Sequence, residues 1–499
     1  MTMKIFIDFA HARQASSKFG LRSLNRKIKL MCVGAMLLFT MPSCTNFLDI
    51  TPEGQTPMED LLSTPSGVED ALYGVYSQLR LAPLYGQELS FSSLEVMAQY
   101  LDCYGNDGVT ALSNYRYDDS RVKDIFEAVW TQMYKNISNV NAVLQCDMVR
   151  NAADYPATIY KGEALGLRAF MHFDLLRIFS EQITRNPDAA GIPYATEFSL
   201  NTPDFKPARK VYELIVADLL EAERLLADEG QYESSTPFMT DRKIHFNLHA
   251  VRATLARVYL TMGDKDNALA YAMKVIDESG RRLSGKTEVA GDLAGVLSNN
   301  ETVFGVYYAE YYSLVSPKLQ KTTSFVSLDP RKDIMDYYET DVVGLDFRAA
   351  AYLTATGAES GAKYRLSKLT DTYELENMSA QRPADKVLGI NLIRLPEMYY
   401  VAAECLLEKD YDEALRLFDE VLEHRGLDPL ENWGDGRDRL DMEAINAERY
   451  RELIGEGQTF FNMKRQNLAI RGVDGTTVIQ PSNKVYVVPI PDIENDYRN

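Results

Sequence analysis

A thiol, a pair of histidines and two tyrosine-rich segments are the side chains whose type and spacing invite chemistry in this sequence. Cys44 follows Pro42-Ser43 at the end of an apolar run, and its thiol is a nucleophile that a serine hydroxyl would not replace. His245 and His249, in HFNLH, stand at i and i+4, a spacing that holds a metal on one helix face. The Glu of HExxH and any evident third ligand are missing, so two rings packing at a helix start is the better reading. LDCYGNDGVTALSNYRYDD, residues 101–119, places Tyr104, Tyr115 and Tyr117 beside Asn106, Asp107, Asn114 and Arg116. Planar amides, carboxylates and guanidinium groups pair with vicinal hydroxyls, and amphipathic rings cover apolar sugar faces. YYAEYYS clusters Tyr307, Tyr308, Tyr311 and Tyr312 on an expected strand, and Trp433 in ENWGDGRDR is a further candidate ring. Trp130 fits a helix stripe and belongs to the core.

The surroundings of Cys44 explain its position. RSLNRKIK precedes LMCVGAMLLFT, a basic segment followed by an apolar run of about 11 residues, which has the form of a secretory signal. The run is too short to span a bilayer, which takes roughly 20 apolar residues. With Cys next after Pro-Ser, the segment resembles a bacterial lipoprotein signal, with residues 1–43 removed and Cys44 as the lipidated first residue. That removal takes away seven basic residues (Lys4, Arg13, Lys18, Arg22, Arg26, Lys27, Lys29) and one acid (Asp8), moving the formal charge from −19 to −25. So acidic a body argues against nucleic acid, whose phosphates need Lys and Arg, and against electrostatic adhesion to anionic lipid. The membrane link is then the lipid anchor alone. Cys103, Cys146 and Cys405 form neither CxxC nor a ladder of short spacings, so neither a zinc site nor a disulfide scaffold is expected.

No catalytic motif emerges. There is no GxSxG elbow and no phosphate loop, and GDGRDR near 434 lacks the glycine spacing and preceding strand of a dinucleotide fingerprint. NDG at 106–108 and DKDN at 264–267 read as turns, because no twelve-residue calcium pattern follows. Glycosidases need two placed carboxylates, and nothing singles out a pair. The expectation is no catalytic residue, no metal and no cofactor.

Helices must position these groups. WTQMYKNISNVNAVL sets Trp130, Tyr134, Ile137, Asn141 and Leu144 on one face. GEALGLRAFMHFDLLRIF and VYELIVADLLEAERLL continue the pattern around a linker holding Pro187, Pro193, Pro203 and Pro207. Two later stretches repeat each other. Ala256 and Ala268, and Ala402 and Ala414, are small residues twelve apart that fall on facing positions of antiparallel helices, as in tetratricopeptide repeats. Such units stack to bury their apolar faces, but over a hundred residues separate these two, so an uninterrupted solenoid is not expected. Between them ETVFGVYYAEYYSLV reads as strand within a loop-rich stretch. The fold class is mainly α, a tetratricopeptide-like helix-pair scaffold carrying an irregular, partly β lobe. Its expected divisions are 1–43 (signal), 44–280 (helical), 281–390 (irregular lobe) and 391–499 (C-terminal helical).

These landmarks, in this order, resemble the SusD/RagB family of surface lipoproteins over essentially the whole chain after the signal. They are SCTNFLDITPEG, WTQMYKNISNVNAVL, GEALGLRAFMHFDLLRIF, the LARVYL repeat ending in Gly263-Asp264, IRLPEMYYVAAE, INAERYRELIGEGQTFFNMKRQN and VYVVPIPDIEND. The tail ends in DYRN where many relatives continue through Asn-Pro. The resemblance implies a non-catalytic glycan-binding protein, lipid-anchored at the outer-membrane surface, that serves a SusC-like TonB-dependent transporter. Peptide capture is the alternative the family also allows, and a surface glycosidase is a more distant one. The family's ligand contacts vary among members, so Tyr104, Asn106, Asp107, Asn114, Tyr115, Arg116, Tyr311, Tyr312 and Trp433 are candidates by residue type and location, not by family identity.

Overall fold

Helix boundaries in the scaffold follow from local capping. A computed structural model of the chain describes residues 58–102, 106–285, 288, 297, 298, 300–319, 328–340, 343–356, 363–369, 388–434 and 436–496, all within the unit Met58–Asn499. Cys44 lies outside the described residues. In chain order the principal helices are α1 (Pro65–Leu79), α2 (Asp107–Ser113), α3 (Ser120–Gln145), α4 (Ala157–Phe179), α5 (Ala208–Leu226), α6 (Leu248–Met262), α7 (Lys265–Glu278), α8 (Tyr311–Leu319), α9 (Leu395–Leu406), α10 (Tyr411–His424), α11 (Met442–Leu453) and α12 (Thr459–Gln466). The short strands are β1 (Leu101–Asp102), β2 (Ala190–Pro193), β3 (Phe205–Pro207), β4 (Thr302–Tyr307), β5 (Asp329–Pro330), β6 (Leu353–Thr356), β7 (Lys363–Leu366), β8 (Gly389–Arg394), β9 (Ile470–Arg471) and β10 (Val478–Ile479), joined as antiparallel pairs β1–β5, β2–β3, β4–β8, β6–β7 and β9–β10.

The hairpin of α6 and α7 shows how little sequence a turn needs. Gly263 takes the left-handed conformation (φ 80°) that ends α6, and the Asp264 carboxylate accepts the Asn267 amide at 3.1 Å to start α7. DKDN is therefore a helix N-terminus and not a free turn. Asp410 and Asp441 cap α10 and α11 in the same manner, accepting the amides of Glu413 (3.2 Å) and Ala444 (2.9 Å). Among the described residues no helix is long and apolar enough to cross a membrane.

Small residues set the stacking. Ala256, Ala268, Ala402 and Ala414 are all fully buried, where α6 packs on α7 and α9 on α10. In space α7 also packs directly on α9. The two repeats, separated along the chain, thus form one continuous stack that begins with α1, α3, α4 and α5. The interruption between them is an insertion, not a break in the scaffold. At the centre runs α4, whose residues from Ile159 to Phe179 are nearly all buried. A Cβ at Gly166 would stand 2.5 Å from Phe246 Cδ1, so glycine is what lets that ring reach the helix.

A buried ion network joins the inserted lobe to the C-terminal helices. Glu452 accepts hydrogen bonds from Arg394 (2.7 Å), Arg425 (2.9 Å) and Arg348 (3.1 Å). Glu301, Glu448, Glu456, Asp346 and Lys368 complete it, with Arg425–Glu301 at 2.9 Å, Arg348–Glu448 at 2.8 Å and Lys368–Glu456 at 2.6 Å. Isolated, any of these charges would be prohibitively costly to bury; matched and hydrogen-bonded, they are tolerated and they impose one arrangement of partners. The charged positions of INAERYRELIGEGQTFFNMKRQN are thus structural: Glu448, Glu452 and Glu456 serve this network, and Arg449 and Arg465 both pair with Glu404.

Two expectations about elements are corrected. The strand ends at Tyr307, opposite Gly389, and Tyr311 opens α8, so Tyr311 and Tyr312 are helical. Rings at 307, 308, 311 and 312 have the spacing of successive helical turns as well as of a β cluster, which periodicity over so short a run does not separate. The 106–114 segment, expected as loop, is α2 and its caps.

Candidate functional site

The strand ladder β1–β5 assembles a polar-aromatic surface. Leu101 pairs with Pro330 and Asp102 with Asp329, which brings the segment of α2 against residues more than two hundred positions later. Arg331 locks the junction. Its guanidinium donates to Asp333 Oδ1 (2.5 Å) and Oδ2 (3.0 Å), and to the carbonyls of Gly472 (3.1 Å), Arg471 (3.2 Å) and Gln99 (3.4 Å). It also lies over the Tyr337 ring, 5.2 Å from the centroid. Around this buried pivot stand exposed Lys332 and Asp336, exposed Arg471, and half-buried Asp102, Asp329, Asp333 and Tyr337. Burial works against the Asp333 carboxylate, but the hydrogen bonds and charge of Arg331 outweigh it and hold its pKa below the ordinary value. The rim is thus a set of fixed carboxylates, cations and one ring edge, suited to hydroxyl-rich ligands.

On its α2 side the placement of each predicted residue is specific. Asn106 caps α2, its Oδ1 accepting the amides of Gly108 (3.0 Å) and Val109 (3.1 Å). Asp107 is exposed and pairs with Arg121 at 3.3 Å. Asn114 is exposed and its Nδ2 donates to the Thr110 carbonyl at 2.7 Å. Tyr115 ends the helix in the left-handed conformation (φ 53°), its amide bonding Leu112 O and that of Arg116 bonding Ala111 O, each at 2.9 Å. This closure turns the Tyr115 ring inward and Arg116 outward. The ring is 5% exposed and its hydroxyl donates to Met97 O at 2.7 Å, so as a stacking platform Tyr115 is corrected to a packing residue. Tyr104 lies outside the described residues.

The other predicted rings are also buried. Tyr311 and Tyr312 pack in the core, leaving Tyr307, on the end of β4, as the exposed tyrosine of that cluster. Trp433 donates from Nε1 to Asp428 O at 2.9 Å and is covered by Arg437, 4.8 Å from a ring centroid. Arg437 in turn reaches Glu339 at 2.6 Å, so Trp433 is buried beneath an ion pair instead of presenting an open ring. Arg331, Asp333, Tyr337 and Arg471 were not singled out in the sequence; DPRKDIMDYY resembles any solvated segment until the ladder places it.

The histidines have packing roles or no ligand neighbours. His172 accepts the Ala195 amide at Nε2 (3.0 Å) and bonds Arg168 O through Nδ1 (2.8 Å), and burial pushes it down to about 3. His245 precedes α6 and contacts Glu163 at 3.3 Å, while His249 lies inside the helix, so the pair does not share a helix face. Among the described residues no group of three His, Cys, Asp or Glu could hold a metal ion.

Comparison with known proteins places this geometry in context. Residues 46–260 match a SusD-like family model described as "Starch-binding associating with outer membrane", and residues 286–491 match the model of the SusD family. SusD-like protein P2 of Formosa agariphila is 24% identical over 519 residues, covering 92% of this chain and 95% of its own. Among solved structures, a SusD-like carbohydrate binding protein from Bacteroides vulgatus shares the fold with a TM-score of 0.67 at 20% identity, over 87% of this chain and 96% of that one. A laminarin binding SusD-like protein matches with a TM-score of 0.62, also at 20% identity, over 87% and 98%.

Proposed function

Because the chain belongs to the SusD/RagB family, we propose that it captures an oligosaccharide at the outer-membrane surface and passes it to a SusC-like TonB-dependent transporter. It acts by binding, without turnover. The observation that supports this reading is the β1–β5 junction, where Arg331 bonds the Gln99 carbonyl and Asp333 and so holds β1 and the 331–337 segment as one preorganised rim. Lys332, Asp336 and Tyr337 beside Arg331, and exposed Asp107 and Arg116 at the two ends of α2, are groups suited to sugar hydroxyls and ring faces, with Tyr104 near Asp107 in sequence. Preorganisation matters because a rigid site loses little entropy when it binds.

Titration calorimetry with laminarin- and starch-derived oligosaccharides, run with a hydrolysis assay on the same sugars, tests this. Binding without cleavage is the expected result. Failure to bind any sugar on a glycan array would shift the reading to peptide capture, and turnover would shift it to a glycosidase.

Cys44 supplies the anchor in this proposal. Cys44→Ala should abolish labelling by a palmitate analogue and release the protein from the outer-membrane fraction. Tethering raises the local concentration of binder at a pore mouth, so gentle solubilisation should recover a large β-barrel protein in near-equal amount.

A further inference from the structure

A second feature lies deep in the scaffold, away from the rim. Where α4, α6, α9, α11 and α12 converge, Arg177, Arg257, Arg449 and Arg465 all line one cavity of about 50 Å³. We propose that this cavity binds a small inorganic anion of halide size.

The charges carry the inference. Arg257 is paired bidentately with Glu397, at 2.6 and 2.5 Å. Arg177 is paired with Asp174. Arg449 and Arg465 share one carboxylate, Glu404. Four guanidinium groups therefore meet three carboxylates. The next acid, Glu456, is already matched by Lys368 and Arg394. One positive charge is left over among side chains that are 12% exposed or less. An uncompensated charge in such surroundings is costly.

The donors point the same way. Arg177 Nε, Arg257 Nη1 and Thr459 Oγ1 belong to residues lining the cavity, are buried and have no hydrogen-bond partner. Arg177, Arg257 and Thr459 are 8%, 5% and 2% exposed. Buried donors left unsatisfied cost free energy. Water would satisfy the donors but leave the charge; an anion answers both. Neighbouring Lys464 is pushed down to about 7, by burial first and then by the charge of Arg177. Size excludes a sugar, since small-molecule sites run to ~300–1,000 Å³ whereas a single water needs ~10–15 Å³.

The site is independent of glycan capture. An anion there would tie α12 to α4, α6 and α11. The test compares melting of the mature protein in sodium chloride and sodium gluconate at equal ionic strength, together with crystals grown in bromide. Melting should rise saturably with chloride, by about 1–3 °C at ten times the dissociation constant, and an anomalous bromide peak should lie in the cavity. Arg257→Gln should abolish the chloride-specific rise. If that variant does not fold, Thr459→Val, which removes only a hydroxyl donor, should weaken the rise. Equal melting in the two salts, or bromide crystals with no anomalous peak in the cavity, overturns the proposal.

Discussion

Arg394 and Glu452, 58 residues apart in sequence, meet at 2.7 Å with side chains 1% and 0% exposed. The same carboxylate also takes Arg425 and Arg348, so one acid neutralises parts of three guanidinium groups. Removing it strands cations that have no route to water. Glu452→Ala is therefore expected to cost about 3–5 kcal/mol. Urea unfolding measures it, and a loss under about 1 kcal/mol would show that the network is not integral to the fold.

Glu95 makes stability pH-dependent in the opposite sense to ordinary carboxylates. Burial pushes it up to about 8, although the Gly457 amide donates to its Oε1 at 3.1 Å. The folded chain keeps this proton above pH 4.5 while the unfolded chain releases it. Its contribution is complete below about 4.5 and is lost as pH rises toward 8. Glu163 and Glu404 behave conversely: burial opposes their charge, but Arg242 in one case and Arg449 and Arg465 in the other hold them down to about 2. They contribute above about 4.5 and lose that contribution only as pH falls toward 2. In Glu95→Gln the stability gained relative to wild type should grow by about 2 kcal/mol between pH 5.5 and 7.5, given at most about 1.4 kcal/mol per pH unit. A difference constant with pH would contradict the assignment.

The facing alanines are testable by bulk. Ala256 and Ala402 sit at closed helix contacts, and an indole there must force the helices apart. Ala256→Trp and Ala402→Trp should each cost at least ~1–3 kcal/mol. Unchanged melting temperatures in both would remove them from the interface.

Tyr115 and Tyr337 should separate folding from binding. Tyr115 is buried with its hydroxyl bonded, so Tyr115→Ala should destabilise the protein by about 3 kcal/mol, within the range for buried aromatic truncations. Tyr337 is half-buried on the rim, and Tyr337→Ala should weaken oligosaccharide affinity about tenfold, or about 1.4 kcal/mol. Denaturation and calorimetry on both variants check this; the reverse pattern would place the ligand elsewhere.

Much of this protein was legible in its residues because the signals are local. Helix stripes, the Gly263-Asp264 junction and the alanines twelve apart act over a few turns, and capping and close packing follow from residue type. The seven ordered landmarks, Cys44 among the first of them, carried the family resemblance for the same reason. Tertiary structure alone decided the rest. Whether a tyrosine is a platform or a core residue depends on what covers it, and the left-handed closure at Tyr115 buries a ring whose type and location make it a candidate sugar contact. The stacking of α7 on α9 across the insertion, the charges gathered on Glu452, and the pivot of Arg331 between Gln99, Asp333 and Gly472 join residues with no periodic relation in sequence. Burial and electrostatic partnership are properties of surroundings, and those surroundings exist only once distant segments have packed.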